Sequence, residues 1–393
     1  MSEVTLFMNC RVLEDETVRR GELWMRGPSI IDPSTVNRKA DRIIDCRNGI
    51  VAPGFIDIQL NGAFGVDFLM HEDRAAGLAH VRKELPSTGV TAFCPTLITC
   101  PAKIFAEASI HYPKLAGNGE SGATVLGTHL EGPFISPEKK GAHPIECIKN
   151  FDEGFKTVTD HYGEDLSNVS IVTLAVEKEG SPEIVEELVS RGVKVSLGHS
   201  VASLSDAQKA VAAGANCVTH LFNAMPAFHH RDPSLPGLLV DREKDRVHFG
   251  IIADGLHTHP CALQIAYRMH SEGLCLITDA IGPMGLPAGN YKLGTVDCVV
   301  DGEPLRAYVK GTDTLCGAVC PMDECVRYFY KQVECSLAYV LSAASLHPAR
   351  CLGIQDRKGH LGVGADADIV VLDDSLQVLK TFVAGEVAYE RNM

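Results

Sequence analysis

No run of about eighteen or more apolar residues occurs in this 393-residue sequence, so a membrane-spanning helix is not expected. The first ten residues, Met1 to Cys10, show no charged segment followed by a long apolar one, so no secretory signal is expected there. Positive charge is not in excess: 36 Lys and Arg against 50 Asp and Glu leave −14. A nucleic-acid surface needs a basic patch to neutralise phosphates, which makes that class of partner a poor fit. One small anionic substrate remains compatible, because a few local cations suffice. No CxxC pair occurs among the fourteen cysteines, and Cys94, Cys217 and Cys275 lie inside strand-like runs. Buried free cysteine behaves as a small hydrophobe, so a reduced, cytoplasmic chain is expected rather than a disulfide framework. No Gly-x-Gly-x-x-Gly follows the first strand-like run, which removes support for a dinucleotide fold. Repeats of fixed period and low-complexity tracts are also missing.

What is present is a regular alternation. Apolar residues make up 45% and charged residues 22%, ordinary for a globular chain with a sizeable core. Strands are predicted at residues 55–60, 90–95, 125–131, 169–175, 193–199, 217–221, 247–253 and 275–279. Helix-like stretches between them include 75–85, 182–190 and 205–213. In the last, Ser205 is placed to cap with Gln208 three residues on, and Gly214 stops the helix. Eight strands alternating with helices predict an α/β chain with a (β/α)8 TIM barrel over residues 51–354, rather than an open doubly wound sheet. The flanks, 1–50 and 355–393, hold short alternating runs with turn residues and little helix. They predict one small β-sandwich domain built from both ends of the chain. Residues 285–317 are irregular, with strand-like 298–300 and 307–309, and predict a hairpin-bearing excursion after strand 8.

Four polar residues end four of these apolar runs: Glu131 on strand 3, His199 on strand 5, His220 on strand 6 and Asp279 on strand 8. A histidine or glutamate at one strand end is ordinarily a structural or solvated residue. Catalytic groups of such barrels occupy the C-terminal strand ends, so four together point to one mouth. One carboxylate and two imidazoles form a ligand set for a borderline divalent metal and leave a position open. A second carboxylate, Asp279, is then placed for proton transfer. The expectation is a metal-assisted hydrolase with one divalent metal per subunit. Zn2+ is favoured, although Fe2+, Co2+ or Mn2+ suit the same donors.

Pro53-Gly54-Phe55-Ile56-Asp57 and Gly364-Ala365-Asp366-Ala367-Asp368-Ile369-Val370-Val371-Leu372 resemble the amidohydrolase superfamily. Several further motifs resemble one of its families, the N-acetylglucosamine-6-phosphate deacetylases. They are Gln59-Leu60-Asn61-Gly62, His129-Leu130-Glu131-Gly132-Pro133-Phe134, Gly141-Ala142-His143, Gly198-His199-Ser200, Thr219-His220-Leu221-Phe222-Asn223-Ala224-Met225 and Thr278-Asp279-Ala280. The resemblance implies metal ligation by Glu131, His199 and His220, acid–base catalysis by Asp279, and polarisation of the acetyl carbonyl by His143. It implies a backbone contact to sugar at Ala142. It also implies a sugar-phosphate grip made by Asn223, the Ala224 amide, Arg231 and His257, and places Asp254, at the end of strand 7, among the substrate-binding residues. Leu315, Cys316 and Gly317 fall where such enzymes touch substrate. Arg231 is implied to reach a neighbouring subunit's site, hence a homodimer. The adjacent His229 and His230 are given no ligand role.

The departures are informative. Many members of the superfamily carry His-x-His at the end of strand 1 and a modified lysine on strand 4. This chain has Gln59-Leu60-Asn61 and no lysine in residues 171–177, so a second metal site lacks its usual ligands. His347 stands where asparagine is common, a helix-start variation without functional weight. A non-catalytic relative is expected to lose a ligand or the acid–base carboxylate, and all four residues are kept here.

Overall fold

The computed structural model describes residues 3–14, 16–36 and 39–392. Eight parallel strands follow the predicted order: β1 (Phe55–Leu60), β2 (Val90–Ile98), β3 (Thr128–Glu131), β4 (Val169–Leu174), β5 (Lys194–Leu197), β6 (Cys217–Val218), β7 (His248–Ile252) and β8 (Leu274–Ile277). Each pairs with its successor in sequence. The ring closes where Leu60 bridges Ala280 in parallel and the Asn61 amide N–H donates to the Ala280 carbonyl at 2.7 Å. The result is the predicted (β/α)8 barrel.

Helices α1 (Arg74–Glu84), α2 (Ala102–Ser109), α3 (Phe155–Tyr162), α4 (Ser181–Ser190), α5 (Leu204–Ala212) and α6 (Pro260–Met269) fill the crossovers, and a 3-10 segment (Leu235–Val240) replaces a helix between β6 and β7. One correction concerns α5. Its cap is Ser203, whose hydroxyl accepts from the Asp206 amide at 3.2 Å while the Asp206 carboxylate accepts from the Ser203 amide, a reciprocal capping box. The Ser205 and Gln208 pairing predicted from sequence therefore falls inside the helix. Two overlapping copies of the same spacing occur, and the carboxylate acceptor wins because its charge strengthens the bond to a helix N-terminus.

Residues 3–53 and 369–390 supply an eight-stranded sheet (Val4–Glu14, Thr17–Arg26, Ser29–Ile30, Arg42–Asp45, Ile50–Pro53, Ile369–Leu372, Val378–Val383 and Glu386–Glu390). Two strands intervene between those bearing Phe7 and Phe382, which would separate them by about 14 Å in a flat sheet. Their rings instead meet edge-on at 5.0 Å. The sheet folds over on itself, and its layers enclose a core of Phe7, Met25, Val51, Ile369 and Phe382. The excursion after β8 has three antiparallel strands (Gly289–Leu293, Val296–Asp301 and Arg306–Val309), one more than the hairpin predicted.

The barrel interior is a separate core of Ile56, Ile58, Ala92, Cys94, Ile171, Cys217, Ile252, Cys275 and Ile277. All fourteen cysteines are free thiols, and no helix among the described residues is long and apolar enough to cross a membrane.

One buried group outside the barrel mouth limits acid stability. His161 in α3 sits against Phe105 and Tyr162, with ring centroids 5.4 Å away in each case, and neither ring nitrogen has a hydrogen-bond partner. Burial pushes its pKa down to about 4. The unfolded chain therefore binds more protons between about pH 6.5 and pH 4, and stability is lost as pH falls through that window. His161→Phe is expected to raise Tm near pH 5 more than near pH 7.5, as read by thermal melts; an equal shift at both pH values would assign the gain to packing alone.

Candidate active site

The four strands that lead to the site, β3, β5, β6 and β8, are shorter than the apolar runs suggested, and the chemistry begins where the ladder stops. Glu131 is the last residue of β3, while His199, His220 and Asp279 each lie two residues beyond β5, β6 and β8. Those three adopt left-handed backbone, with φ of 49°, 30° and 50°. Such conformations cost about 1–3 kcal/mol each in residues with a Cβ and concentrate at functional sites.

The strand ends converge. Glu131 Oε1 lies 3.2 Å from His199 Nε2 and 3.1 Å from His220 Nε2, and the two imidazole nitrogens are 3.0 Å apart. All three residues are buried. Burial alone would raise the Glu131 pKa, but the two imidazoles hold it well below the usual carboxylate range. Donors bonded to one zinc ion at about 2.0–2.1 Å in tetrahedral geometry are about 3.3 Å apart, so this cluster fits a single ion. His199 is also pre-set for it. Its Nδ1 lies 2.7 Å from the Lys139 carbonyl, which only accepts, so Nδ1 carries the proton and Nε2 keeps its lone pair.

Asp279 stands beside this cluster without belonging to it. Its Oδ1 accepts from Asn61 Nδ2 at 2.8 Å and from Gln59 Nε2 at 3.1 Å, and Gln59 Nε2 also reaches Glu131 Oε1 at 3.0 Å. Burial and the nearby Glu131 charge push the Asp279 pKa up to about 6. With Oδ1 committed to two amides, Oδ2 is the oxygen free to exchange a proton.

His143 packs its ring on His199, with centroids 4.4 Å apart. The Thr99 backbone N–H points at His143 Nδ1 from 3.4 Å, and the Thr99 hydroxyl is 2.7 Å from the same atom. An N–H can only donate, so Nδ1 accepts and the proton resides on Nε2. Burial, followed by the neighbouring His199, pushes the His143 pKa down to about 3, so this ring stays neutral. Ala142 precedes it, half-buried.

A cavity of about 760 Å3 opens alongside, lined in part by Phe64, Asp254, His257, Leu315, Gly317 and Arg306. It adjoins Asp279 through Ala318, whose amide donates to the Asp279 carbonyl at 2.9 Å. Asp254 Oδ2 lies 2.6 Å from His257 Nδ1. Burial would raise the Asp254 pKa, but the His257 partner outweighs it and the carboxyl stays anionic. That bond occupies Nδ1 and leaves Nε2 as the ring nitrogen available to another partner. Cys316 is buried behind the wall that Leu315 and Gly317 form.

Asn223 and Ala224 lie three and four residues after His220, and Ala224 is left-handed at φ 50°. Arg231 sits apart on an exposed loop beside the 60%-exposed Phe228, and its guanidinium has no carboxylate partner among the described residues. This loop does not join Arg231 to the buried cluster within the single chain.

A family model described as the amidohydrolase family matches residues 50–388. The chain belongs to the amidohydrolase family. It is 50% identical to the N-acetylglucosamine-6-phosphate deacetylase of Bos taurus over 98% of this chain and 96% of that protein. It is 33% identical to the N-acetylgalactosamine-6-phosphate deacetylase of Escherichia coli O157:H7, over 86% and 88% respectively. Among solved structures, a mutant N-acetyl-D-glucosamine-6-phosphate deacetylase of Mycobacterium smegmatis, in complex with N-acetyl-D-glucosamine-6-phosphate, superposes with a TM-score of 0.84. Identity to it is 29%, covering 98% of this chain and 99% of that one.

Within this amidohydrolase, sequence reasoning missed what the strand-1 amides do. In the sequence Gln59 and Asn61 read as part of a family motif and as replacements for the usual metal ligands, whereas both hold the Asp279 carboxylate. Thr99 and the Lys139 carbonyl, which set the tautomers of His143 and His199, left no signal. Their roles depend on loop geometry rather than residue type.

Proposed function

We propose that this chain hydrolyses the acetamide of N-acetyl-D-glucosamine 6-phosphate to D-glucosamine 6-phosphate and acetate, in amino-sugar metabolism. The observation that carries the reading is the buried Glu131, His199 and His220 cluster with Asp279 held beside it, in a chain half identical to a deacetylase of that substrate. Glu131, His199 and His220 would hold one divalent ion, for which Zn2+ suits the mixed nitrogen and oxygen donors best. When bound, such an ion supplies Lewis-acid polarisation of the amide carbonyl and acidifies a water molecule.

The remaining work falls to side chains. Asp279 Oδ2 takes the proton of the attacking water and returns it to the departing amine nitrogen. His143 donates from Nε2–H to the oxygen that gains charge during attack. His257, aimed by Asp254, contacts the sugar, with Ala142, Leu315 and Gly317 forming the rest of its surroundings and Cys316 backing that wall. Asn223 and the Ala224 amide meet the phosphate. Arg231 completes the grip from the second subunit of a homodimer: its exposed, unpaired guanidinium and the neighbouring Phe228 favour a role across an interface. The free thiols and the absence of a membrane-spanning helix among the described residues support a cytoplasmic setting.

The test is acetate release from N-acetylglucosamine 6-phosphate, run beside its galacto epimer and the unphosphorylated sugar. The gluco phosphosugar should be the best of the three by kcat/KM; no release from it would end the proposal. Arg231→Ala should raise KM for the phosphosugar about 10- to 100-fold, the loss of a charge-assisted bond, while leaving the unphosphorylated sugar little changed. Equal effects on both sugars would discredit the phosphate assignment.

A further inference from the structure

Directly beneath the ligand cluster, the barrel holds a row of buried polar side chains that the proposed reaction does not use. His129 Nδ1 lies 2.9 Å from the Ile58 carbonyl, and its Nε2 lies 2.7 Å from the Thr173 hydroxyl. That hydroxyl is 2.7 Å from Thr219 Oγ1, which is 2.5 Å from Ser196 Oγ. All four side chains are buried. A carbonyl only accepts, so Nδ1 of the neutral imidazole carries the proton and Nε2 accepts from Thr173. The single Thr173 proton is then committed, so Thr173 accepts from Thr219, and Thr219 accepts from Ser196. One carbonyl thus orders the whole row in one direction, from Ser196 on β5 through Thr219, Thr173 on β4 and His129 on β3 to Ile58 on β1.

The row touches each ligand-bearing segment. His129 precedes Glu131 by two residues, Ser196 precedes His199 by three, and Thr219 immediately precedes His220. Gly198 adds a direct contact: a Cβ there would lie 2.7 Å from Thr219 Cβ and 3.1 Å from Thr173 Cγ2. The backbone leading into His199 therefore rests on two of the hydroxyl residues. The backbone ladder at this point is thin, since β6 is two residues long and pairs with β5 only through Ser196–Cys217 and Leu197–Val218. Yet β6 must aim His220. The side-chain bonds add cross-strand ties where the ladder gives out.

We propose that Ser196, Thr219, Thr173 and His129 form a positioning chain that sets the spacing of Glu131, His199 and His220 for their ion. The proposal rests on the metal-site reading above. A buried hydroxyl chain that only filled space would tolerate an isosteric methyl, whereas one that aims ligands should register its loss in ion affinity.

The experiment compares full-length wild-type, Thr219→Val and Thr219→Ser proteins. Zn2+ Kd is measured by competition with a chromophoric chelator, and Tm is measured on the metal-free forms. Thr219→Val should weaken Zn2+ binding about 10- to 100-fold, with metal-free Tm within about 2 °C of wild type. Thr219→Ser, which keeps the hydroxyl, should bind within about threefold of wild type. Wild-type protein that binds no zinc overturns the metal-site reading and this inference with it. Wild-type protein that binds one ion, with a Thr219→Val Kd within about twofold, overturns the inference alone. Weakening that serine does not restore marks a packing loss and also overturns it. If Thr219→Val does not fold, Ser196→Ala removes the first donor of the row and is held to the same Kd criterion.

Discussion

Asp279→Asn is expected to lower kcat by about 10^2- to 10^4-fold while the chain still takes up one divalent ion. The geometry separates the two effects. Asp279 lies outside the Glu131, His199 and His220 cluster, so its loss removes no ligand of that set. An asparagine can keep its Oδ1 where Gln59 and Asn61 now donate to the aspartate at 3.1 and 2.8 Å. Shape and anchoring are preserved, but an amide nitrogen replaces Oδ2 and can neither take a proton from water nor hand one to an amine. KM should therefore move far less than kcat, the pattern of an interaction needed mainly in the transition state. Steady-state acetate release and metal analysis on the same preparation check both halves. A wild-type rate in Asp279→Asn would remove this residue from proton transfer.

The heart of this site was legible because each of its four central residues closes an apolar run, and an alternating pattern forces those ends to one side of a barrel. Glu131, His199, His220 and Asp279 could be read that way without any contact being known. The terminal strands were legible for a similar reason: short alternating runs at both ends of the chain need a common layer to bury one face. The illegible parts depend on register and on the direction of side chains in loops. Ser196, Thr173 and Thr219 read as ordinary strand residues. Their meeting inside the barrel follows from the pairing of Thr173 with Ser196 and the close approach at Gly198. The α5 cap slipped by two residues because Ser203 and Ser205 both have an acceptor three positions on, and the spacing alone does not rank them. Arg231 lies far out on its loop, so within one chain its role rests on exposure and on the lack of an ion-pair partner among the described residues.

The ion itself carries the other large effect. Protein stripped by a chelator should retain below about 1% of its activity, and one equivalent of divalent metal per chain should restore it, with no further gain from a second. The limit of one follows from what occupies the place of the missing strand-1 histidines. Gln59 Nε2 lies between the two carboxylates, 3.0 Å from Glu131 Oε1 and 3.1 Å from Asp279 Oδ1, and Asn61 Nδ2 donates to the same Asp279 oxygen. Amide NH2 groups are donors and have no lone pair to offer a cation. They also present partial positive charge to the two carboxylates, easing at lower cost the repulsion that a second ion would otherwise relieve. Strand 4 supplies no lysine across residues 171–177 to bridge two ions. Elemental analysis alongside acetate release decides the point: two ions per chain, both required for turnover, would mean that the amides give way to a second metal.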